Sequence, residues 1–323
     1  MQNLVTLFGG SGFLGSQTVR ALARQGWRIR VAVRQPHLAY AMRLHGDVGQ
    51  IDIVQANVRN MASVERALEG ASAAVNLVGL LYESGRQKFE AIHVEGAGRV
   101  ARAAAEMGVG RLVQMSALGA DAASASNYAR TKAQGEAEVR GAFPGAVVVR
   151  PSIVFGPEDD FFNRFAKLAL ISPALPLIGG GATELQPVFV GDVAQALARM
   201  LADPASAGET YELGGPARYS FRQLMTLLLA EIQRRRLLVP LPFPAAGLIG
   251  LGGDALAFLG LPPPLTRDQV ELLKTDNVTS GACPGLAELG VAPTTLEAVL
   301  PQYLPRYRSG GQFADPEAAV AAA

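Results

Sequence analysis

Hydrophobic and polar positions follow two alternating patterns in the first half of the chain. Short apolar, β-branched runs predict strands, and they are Leu4–Phe8, Arg28–Val33, Ile51–Gln55, Ala73–Leu77, Leu112–Met115 and Val147–Val149. Between them, apolar residues recur every three or four positions and predict helices over Ser16–Gln25, Ser63–Leu68, Gly96–Met107 and Thr131–Ala142. Strands that alternate with helices at this spacing pair in parallel, so the sequence predicts an α/β fold with a doubly wound parallel sheet.

The pattern changes after Arg150, where proline and glycine become frequent. From Pro216 onward the chain reads as mostly helical, with prolines between the helical stretches. We therefore predict a Rossmann-type domain over 1–155, to which 183–215 returns. A smaller, mostly helical C-terminal region is predicted over 156–182 and 216–307, and a flexible tail over 308–323.

Composition excludes several classes of protein. The 323 residues include 29 Lys and Arg against 28 Asp and Glu, so the net charge is +1 and nucleic acid is not a predicted partner. Although 49% of residues are hydrophobic, no run reaches the roughly 20 apolar residues of a membrane-spanning helix. The single cysteine, Cys283, excludes an internal disulfide framework. The isolated histidines His37, His45 and His93 predict no metal site.

The chain begins close to its first strand. Met1 lies three residues before Leu4, which leaves no room for a signal or transit peptide. We therefore expect a cytoplasmic protein of bacterial origin.

A glycine-rich turn directly follows the first strand and opens the first helix. Its residues are Gly9, Gly10, Ser11, Gly12, Phe13, Leu14 and Gly15. Glycines spaced three apart let the backbone turn sharply and let a pyrophosphate approach the main chain, while the helix start offers free N–H groups. Because strand, turn and helix occur in the required order, the motif predicts a dinucleotide site.

The residues after the next strands indicate which dinucleotide is bound. Arg34 ends the second strand, and no acid occurs between the first strand and Asp47. An arginine here can pair with the 2′-phosphate of NADP(H), whereas NAD(H) calls for a carboxylate; a solvated Arg34 is the alternative. Residues that follow the third and fourth strands are expected at the adenine, the ribose and the pyrophosphate, and they are Asn57, Val58, Leu77, Val78 and Gly79.

A tyrosine and a lysine lie four residues apart at a predicted helix start. Tyr128 and Lys132 therefore share one helix face. A lysine ammonium lowers the pKa of a nearby phenol, which could then exchange a proton with a substrate hydroxyl. Ser116, at the end of the fifth strand, is expected to help orient that oxygen. In the alternative, these residues only bind the cofactor, and Tyr128 and Lys132 contact the nicotinamide ribose.

With these motifs, the chain resembles the short-chain dehydrogenase/reductase superfamily in its extended or atypical form. The stretch Arg150–Pro157 resembles the segment that follows the sixth strand in that superfamily. The resemblance implies that Pro151, Ser152 and Ile153 line the nicotinamide end of the site.

A narrower resemblance covers about Leu4 to Tyr307. Late segments of the chain are similar to the alpha-subcomplex subunit 9 family of respiratory complex I, and they are 175–181, 186–194, 265–274, 276–278 and 296–301. The resemblance implies an NADPH-binding accessory subunit of NADH:ubiquinone oxidoreductase. In that family the nucleotide is a structural or regulatory ligand, the subunit docks on the peripheral arm near the membrane and the quinone site, and hydride transfer is not its accepted role.

An apolar stretch of the C-terminal region bears on the expected partners. Arg234–Arg236 precede it, and Ala245–Leu261 contains one charge, Asp254. Its prolines and glycines argue against a spanning helix. A buried core is one interpretation; the family resemblance favours docking at a membrane surface.

The resemblance thus implies other complex I subunits as partners and a peripheral position on the cytoplasmic face of the bacterial inner membrane. Two alternatives stay open. One is a free-standing NADP(H)-dependent reductase or sugar-nucleotide epimerase that uses Tyr128 and Lys132, and the other is a nucleotide redox sensor.

Overall fold

The structure is a computed structural model that describes residues 3–311. Its strands are β1 (Leu4–Phe8), β2 (Arg28–Val33), β3 (Ile51–Gln55), β4 (Ala73–Asn76), β5 (Arg111–Met115), β6 (Val147–Pro151), β7 (Val154–Phe155), β8 (Ala174–Ile178), β9 (Glu184–Leu185), β10 (Val188–Phe189), β11 (Thr210–Leu213), β12 (Tyr219–Ser220) and β13 (Leu237–Leu241). Its α-helices are α1 (Phe13–Arg24), α2 (Met61–Leu68), α3 (Glu95–Glu106), α4 (Asn127–Ala142), α5 (Phe162–Ile171), α6 (Val190–Ala202), α7 (Phe221–Glu231), α8 (Phe243–Phe258), α9 (Arg267–Leu272) and α10 (Leu296–Val299).

A seven-stranded sheet forms the centre of the described part of the chain. Its strand order is β11-β6-β5-β4-β1-β2-β3, and each neighbouring pair is parallel. The order reverses between β1 and β4, which places a crevice at the carboxyl ends of these strands. The predicted α/β class with a doubly wound, Rossmann-type sheet is therefore confirmed.

Helices cover both faces of the sheet. One face packs on α1 and α6 through residues such as Val19, Leu22 and Leu197. The other face packs on α2, α3 and α4 through residues such as Leu68, Val100 and Val139. Because both faces are covered, the strands carry continuous apolar runs, as parallel strands generally do.

Element ends differ from the prediction for local reasons. Helix α4 begins four residues before the predicted start at Thr131, because Ser126 caps it and accepts a hydrogen bond from the Ala129 amide. Strand β6 extends to Pro151, which pairs with Leu213 of β11. The cap is a local contact three residues apart, whereas the pairing of Pro151 depends on a strand distant in sequence.

The smaller region has its own apolar core. Helices α5, α7 and α10 pack around β8, and β13 pairs with β8 in parallel. The region is mostly helical, as predicted, but the sequence did not predict strand β13. The strand tolerates Pro240 because it lies at a sheet edge, where the missing N–H has no partner strand to serve.

Helix α8 occupies the apolar stretch whose prolines and glycines argued against a spanning helix. It is a helix of 16 residues, and its Gly250 and Gly253 form the face that packs on the backbone of Leu265–Arg267. A Cβ on Gly250 would lie 2.7 Å from the Arg267 amide nitrogen, and one on Gly253 would overlap the Leu265 carbonyl oxygen. No helix within residues 3–311 is long and apolar enough to cross a membrane.

Candidate functional site

The glycine turn has the backbone geometry of a phosphate-binding loop. Gly9 has a φ of +80°, in the region that favours glycine, and its carbonyl accepts a hydrogen bond of 3.1 Å from the Gly12 amide. A Cβ on Gly15 would overlap the Gly9 carbonyl oxygen and lie 2.6 Å from the Gly10 carbonyl carbon. Gly15 therefore allows α1 to pack directly on the turn.

The start of α1 is open to an anion. Gly12 is the residue before the helix, and no side chain in the described part of the chain caps it. A Cβ on Gly12 would meet nothing closer than 3.5 Å, and Ser11 beside it is exposed. Phe13 lies against Gly156 and Leu14 packs into the core, so neither side chain blocks the turn. Free N–H groups at an accessible helix start fit a pyrophosphate.

The loop after β4 connects this turn to helix α4. A Cβ on Gly9 would lie 3.3 Å from both the Leu77 carbonyl carbon and the Val78 amide nitrogen. One on Gly79 would lie 3.4 Å from Lys132 Nζ. The structure therefore brings the glycine turn, Leu77–Gly79 and Lys132 together at the crevice.

The predicted adenosine end lies at the tips of β2 and β3. Arg34 is exposed one residue beyond β2, and no ion pair within residues 3–311 includes it. Asn57 is half-buried and its amide donates to Ser63 Oγ at 2.8 Å. The Val58 side chain packs in the core, against Gly96, so only its main chain can face a ligand.

Tyr128 packs against two aromatic rings and lies near an amine. Its ring meets Phe89 and His93 edge-on, with centroids 5.8 and 5.4 Å away, and Lys132 Nζ lies 5.7 Å from its centroid. We expected the lysine to lower the phenol pKa. Instead, burial raises the pKa of Tyr128 to about 12, and the Asp268 carboxylate acts in the same direction. The phenol is therefore protonated at neutral pH.

Lys132 is buried and has few partners for its charge. Its Nζ lies 3.4 Å from the Met115 carbonyl oxygen. Burial lowers its pKa to about 8, and the Glu136 carboxylate opposes that shift. A buried ammonium that points at the Gly79 backbone can donate hydrogen bonds to ribose or phosphate oxygens of a dinucleotide.

His93 is a site residue that the sequence did not reveal. Its Nε2 accepts a hydrogen bond of 3.0 Å from the Leu80 amide, so Nδ1 carries the proton and donates to Thr131 Oγ1 at 3.1 Å. Burial lowers the pKa of His93 to about 2, with the Lys132 charge acting in the same direction. The neutral ring thus joins the β4 loop to α4.

Ser116 does not take the role that we expected. Its buried hydroxyl donates to Glu136 Oε1, and Arg150 binds the same carboxylate through two hydrogen bonds of 2.9 and 2.6 Å. The next two residues, Ala117 and Leu118, carry no hydroxyl. The serine therefore stabilises the ion pair between α4 and β6 instead of facing a substrate oxygen.

The segment expected at the nicotinamide end is also held by hydrogen bonds within the chain. Ser152 Oγ donates to Asn277, at 2.7 Å to Oδ1 and 3.0 Å to the carbonyl oxygen. Pro151 is buried at the end of β6, and the Ile153 carbonyl accepts from the Val188 amide at 2.9 Å. These residues can shape the crevice wall, but the Ser152 hydroxyl is already engaged.

The geometry of the crevice suits the binding of a dinucleotide. The glycine turn can hold a pyrophosphate, and Tyr128 and Lys132 both present hydrogen-bond donors. A phenol that stays protonated at neutral pH can donate a proton but cannot accept one, and the Ser116 hydroxyl is already bonded to Glu136.

Comparison with known proteins identifies the family. The sequence model of the NAD dependent epimerase/dehydratase family matches residues 5–214. Among solved structures, dTDP-glucose 4,6-dehydratase (DesIV) from Streptomyces venezuelae, whose structure has NAD and TYD bound, superposes with a TM-score of 0.70. It is 21% identical, over 94% of this chain and 96% of that one. This likeness shows the fold.

Curated relatives are similar over nearly the whole chain. NADH dehydrogenase (ubiquinone) 1 alpha subcomplex subunit 9 of Mus musculus is 34% identical over 95% of this chain and 81% of its own length. The NADH-ubiquinone oxidoreductase 40 kDa subunit of Neurospora crassa is 33% identical, over 97% and 82%. A ceramide reductase of Caulobacter vibrioides is 31% identical over 87% of each chain. The chain therefore belongs to the NAD dependent epimerase/dehydratase family and to the family of complex I alpha subcomplex subunit 9 and 40 kDa subunits.

Proposed function

We propose that this chain is an NADP(H)-binding accessory subunit of respiratory complex I with a structural or regulatory role. The observation that carries the proposal is its similarity, over 95% or more of its length, to relatives named as subunits of NADH dehydrogenase. A site suited to holding a dinucleotide supports the same role. The peripheral arm near the membrane and the quinone site is the proposed position, at the cytoplasmic face of a bacterial inner membrane.

Co-migration tests the assembly. Respiratory membranes are solubilised in a mild detergent and resolved on a native gel. We expect this chain in the band that carries NADH:ubiquinone oxidoreductase activity. Recovery of the chain only as a free, soluble species would contradict the proposal.

The choice of NADP(H) over NAD(H) depends on Arg34. An exposed guanidinium at the tip of β2 is available to a 2′-phosphate. We expect the denatured protein to release NADPH, detected by mass spectrometry. Arg34→Glu should weaken NADPH binding by roughly 10- to 100-fold, the range for losing a charged hydrogen bond.

Arg28→Glu is the matched control for that variant. Arg28 is also exposed and lies at the opposite end of β2. The substitution makes the same change of charge. We expect its NADPH affinity to equal that of the wild type. Equal losses in both variants, or release of NAD(H) alone, would contradict the assignment of Arg34.

A second pair of variants tests the glycine turn. A Cβ on Gly12 has room in the fold but enters the space where a phosphate would approach, whereas one on Gly15 overlaps the backbone. Gly12→Ala should therefore keep the melting temperature and lose nucleotide binding, and Gly15→Ala should lose both. Unchanged nucleotide affinity in folded Gly12→Ala would exclude this turn as the site.

The proposed docking surface, which we call the α8 surface, consists of exposed apolar side chains in and near α8 and β13. They are Leu237, Val239, Leu248, Ile249, Leu251, Leu256, Phe258, Leu259 and Leu261. Of the three preceding arginines, Arg234 and Arg236 are half-buried and donate to main-chain carbonyls. Only Arg235 of the three is exposed. We therefore propose that docking at the membrane surface relies mainly on apolar contact.

A free-standing reductase is the second candidate function. It is supported by the ceramide reductase relative and by the presence of Tyr128 and Lys132. A Tyr128→Phe variant separates the two functions, since it removes the phenol that such chemistry would need. Normal assembly and normal NADH:ubiquinone oxidoreductase turnover in this variant would favour the accessory role.

A further inference from the structure

The N-terminus of α4 is capped by a carboxylate from a distant part of the chain. Asp268 Oδ1 accepts a hydrogen bond of 2.6 Å from the Asn127 amide. Its Oδ2 accepts from the Tyr128 amide at 3.1 Å and from Ser126 Oγ at 2.8 Å. Asp268 lies in α9, about 140 residues further along the chain.

This cap completes the first turn of α4. Ser126 Oγ accepts from the Ala129 amide at 3.2 Å, so the Asn127, Tyr128 and Ala129 amides all have acceptors. A negative charge at this end is also favoured by the helix dipole. Since capping residues are usually adjacent in sequence, the position of this helix start depends on a separate element to an unusual degree.

Helix α9 is in turn held firmly to α8. The backbones touch at Gly250 and Gly253 of α8, as described above, with no room for a side chain. Asp254 binds Arg267 Nε at 2.6 Å. Hydrogen bonds between Thr266 and Gln269 fix the start of α9. A movement of α8 therefore carries Asp268 with it.

Helix α4 presents the residues that face the proposed nucleotide. Tyr128 lies in the capped turn itself, and Lys132 follows one turn later, beside Gly79. From this geometry we infer that Asp268 is a positioning residue that couples the seating of α8 and α9 to nucleotide binding at α4. The inference rests on the proposed function, because it concerns the nucleotide held there. Such coupling is reciprocal. If bound nucleotide increases the affinity of the α8 surface for its partner by some factor, then the bound partner increases the affinity for the nucleotide by the same factor.

Hydrogen exchange of the full-length protein with and without NADPH tests this coupling. We expect NADPH to slow exchange in two places: residues 9–15, where we propose that it binds, and 266–272, which contribute no residue to the proposed nucleotide site. In Asp268→Asn, residues 9–15 should keep their protection while 266–272 lose theirs. The NADPH affinity of that variant should fall by about 3- to 10-fold, because the asparagine NH2 group that replaces one carboxylate oxygen cannot accept the hydrogen bonds from Tyr128 and Ser126.

Glu271→Gln is the matched control, since it removes one charge from the same helix at a side chain bound to Lys274. It should retain both protections and the wild-type affinity. If NADPH protects residues 9–15 but not 266–272 in the wild-type protein, the coupling is overturned, while the proposed nucleotide site is still supported. Equal protection of 266–272 in the wild-type protein and in Asp268→Asn would show that Asp268 does not carry the coupling. Protection at neither place would overturn the nucleotide site, and the coupling with it.

Discussion

At the residue scale, the site contains a histidine that stays neutral over the physiological pH range. His93 uses Nε2 as an acceptor and Nδ1 as a donor, and a second proton would break its bond from the Leu80 amide. Its role is to hold the β4 loop against α4. The ring thus links two parts of the proposed nucleotide site through its hydrogen bonds.

This histidine should make the protein acid-sensitive. Burial lowers the folded-state pKa of His93 to about 2 from an ordinary value of 6.5, so below pH 6.5 the unfolded chain binds one more proton than the folded one. The free energy of unfolding therefore falls with decreasing pH, by up to about 1.4 kcal/mol per pH unit from this group. In His93→Gln, the loss between pH 7 and pH 5 should be smaller by about 2 kcal/mol.

Urea unfolding at pH 7, 6 and 5 measures that difference. Above pH 7 the two stability profiles should run parallel, because the ring is neutral in both states. Profiles that stay parallel down to pH 5 would show that His93 is not the acid-sensitive group.

Single residues also mark how far the site can be predicted from sequence. Gly9–Gly15, Tyr128 and Lys132 have local motifs, and the structure brings them to one crevice. His93 and Glu136 have no such motif, because their partners, Leu80 and Ser116, are set by the tertiary fold. The phenol pKa is raised where we expected it to be lowered, because burial and the Asp268 carboxylate, both set by the tertiary fold, raise it.

At the element scale, α8 shows how glycine can build a helix contact. Its buried residues are Ala246, Gly250, Gly253 and Ala257, at spacings of three and four that place them on one face. Apolar side chains occupy much of the remaining surface. The glycine content of this stretch argued against a spanning helix, but the sequence does not show which glycines meet a neighbouring backbone.

Two alanine substitutions in α8 distinguish these roles. A Cβ on Gly253 overlaps the Leu265 carbonyl oxygen, whereas one on Gly252 meets nothing within 4 Å. Gly252→Ala should stabilise the protein by up to about 1 kcal/mol through helix propensity. Gly253→Ala should destabilise it by roughly 1–3 kcal/mol through overpacking.

Thermal and urea unfolding of both variants provide the measurement. The two variants should change the free energy of unfolding in opposite directions. This difference is decisive, since the two positions are adjacent and the substitution is identical. Stabilisation by Gly253→Ala would show that α8 does not pack closely on residues 265–267.

At the scale of the whole molecule, the sheet layers and the mostly helical character of the smaller region could be predicted, but the contacts within the smaller region could not. The regular alternation of strand and helix up to β6 follows from periodicity, and the family resemblance covers most of the chain. The domain boundaries stay a prediction, and the tail beyond residue 311 lies outside the described residues. Strand β13 and the packing of α8 depend on partners distant in sequence, which a local pattern cannot specify.

The α8 surface should mediate docking through its apolar side chains. Leu248 and Phe258 are 74% and 83% exposed, so Leu248→Glu with Phe258→Glu should leave the melting temperature unchanged. The same double variant should weaken co-sedimentation with phosphatidylglycerol and phosphatidylethanolamine vesicles by roughly 100-fold, because two buried side chains are lost from the interface.

Leu38→Glu with Leu44→Glu is the control pair, at 72% and 85% exposure in the helical segment after β2. It should bind vesicles as the wild type does. Absence of vesicle binding by the wild-type protein itself would show that lipid is not what the α8 surface contacts.

The distant cap on α4 also has a consequence for biosynthesis. A ribosome that has released residues up to β6 has already exposed the glycine turn, Tyr128 and Lys132, yet Asp268 is still to be translated. The amides at the start of α4 therefore acquire their carboxylate only when more than four-fifths of the chain exists. Full nucleotide affinity would then require translation past Asp268, and an assembling complex that selects the loaded subunit would reject chains that end before it.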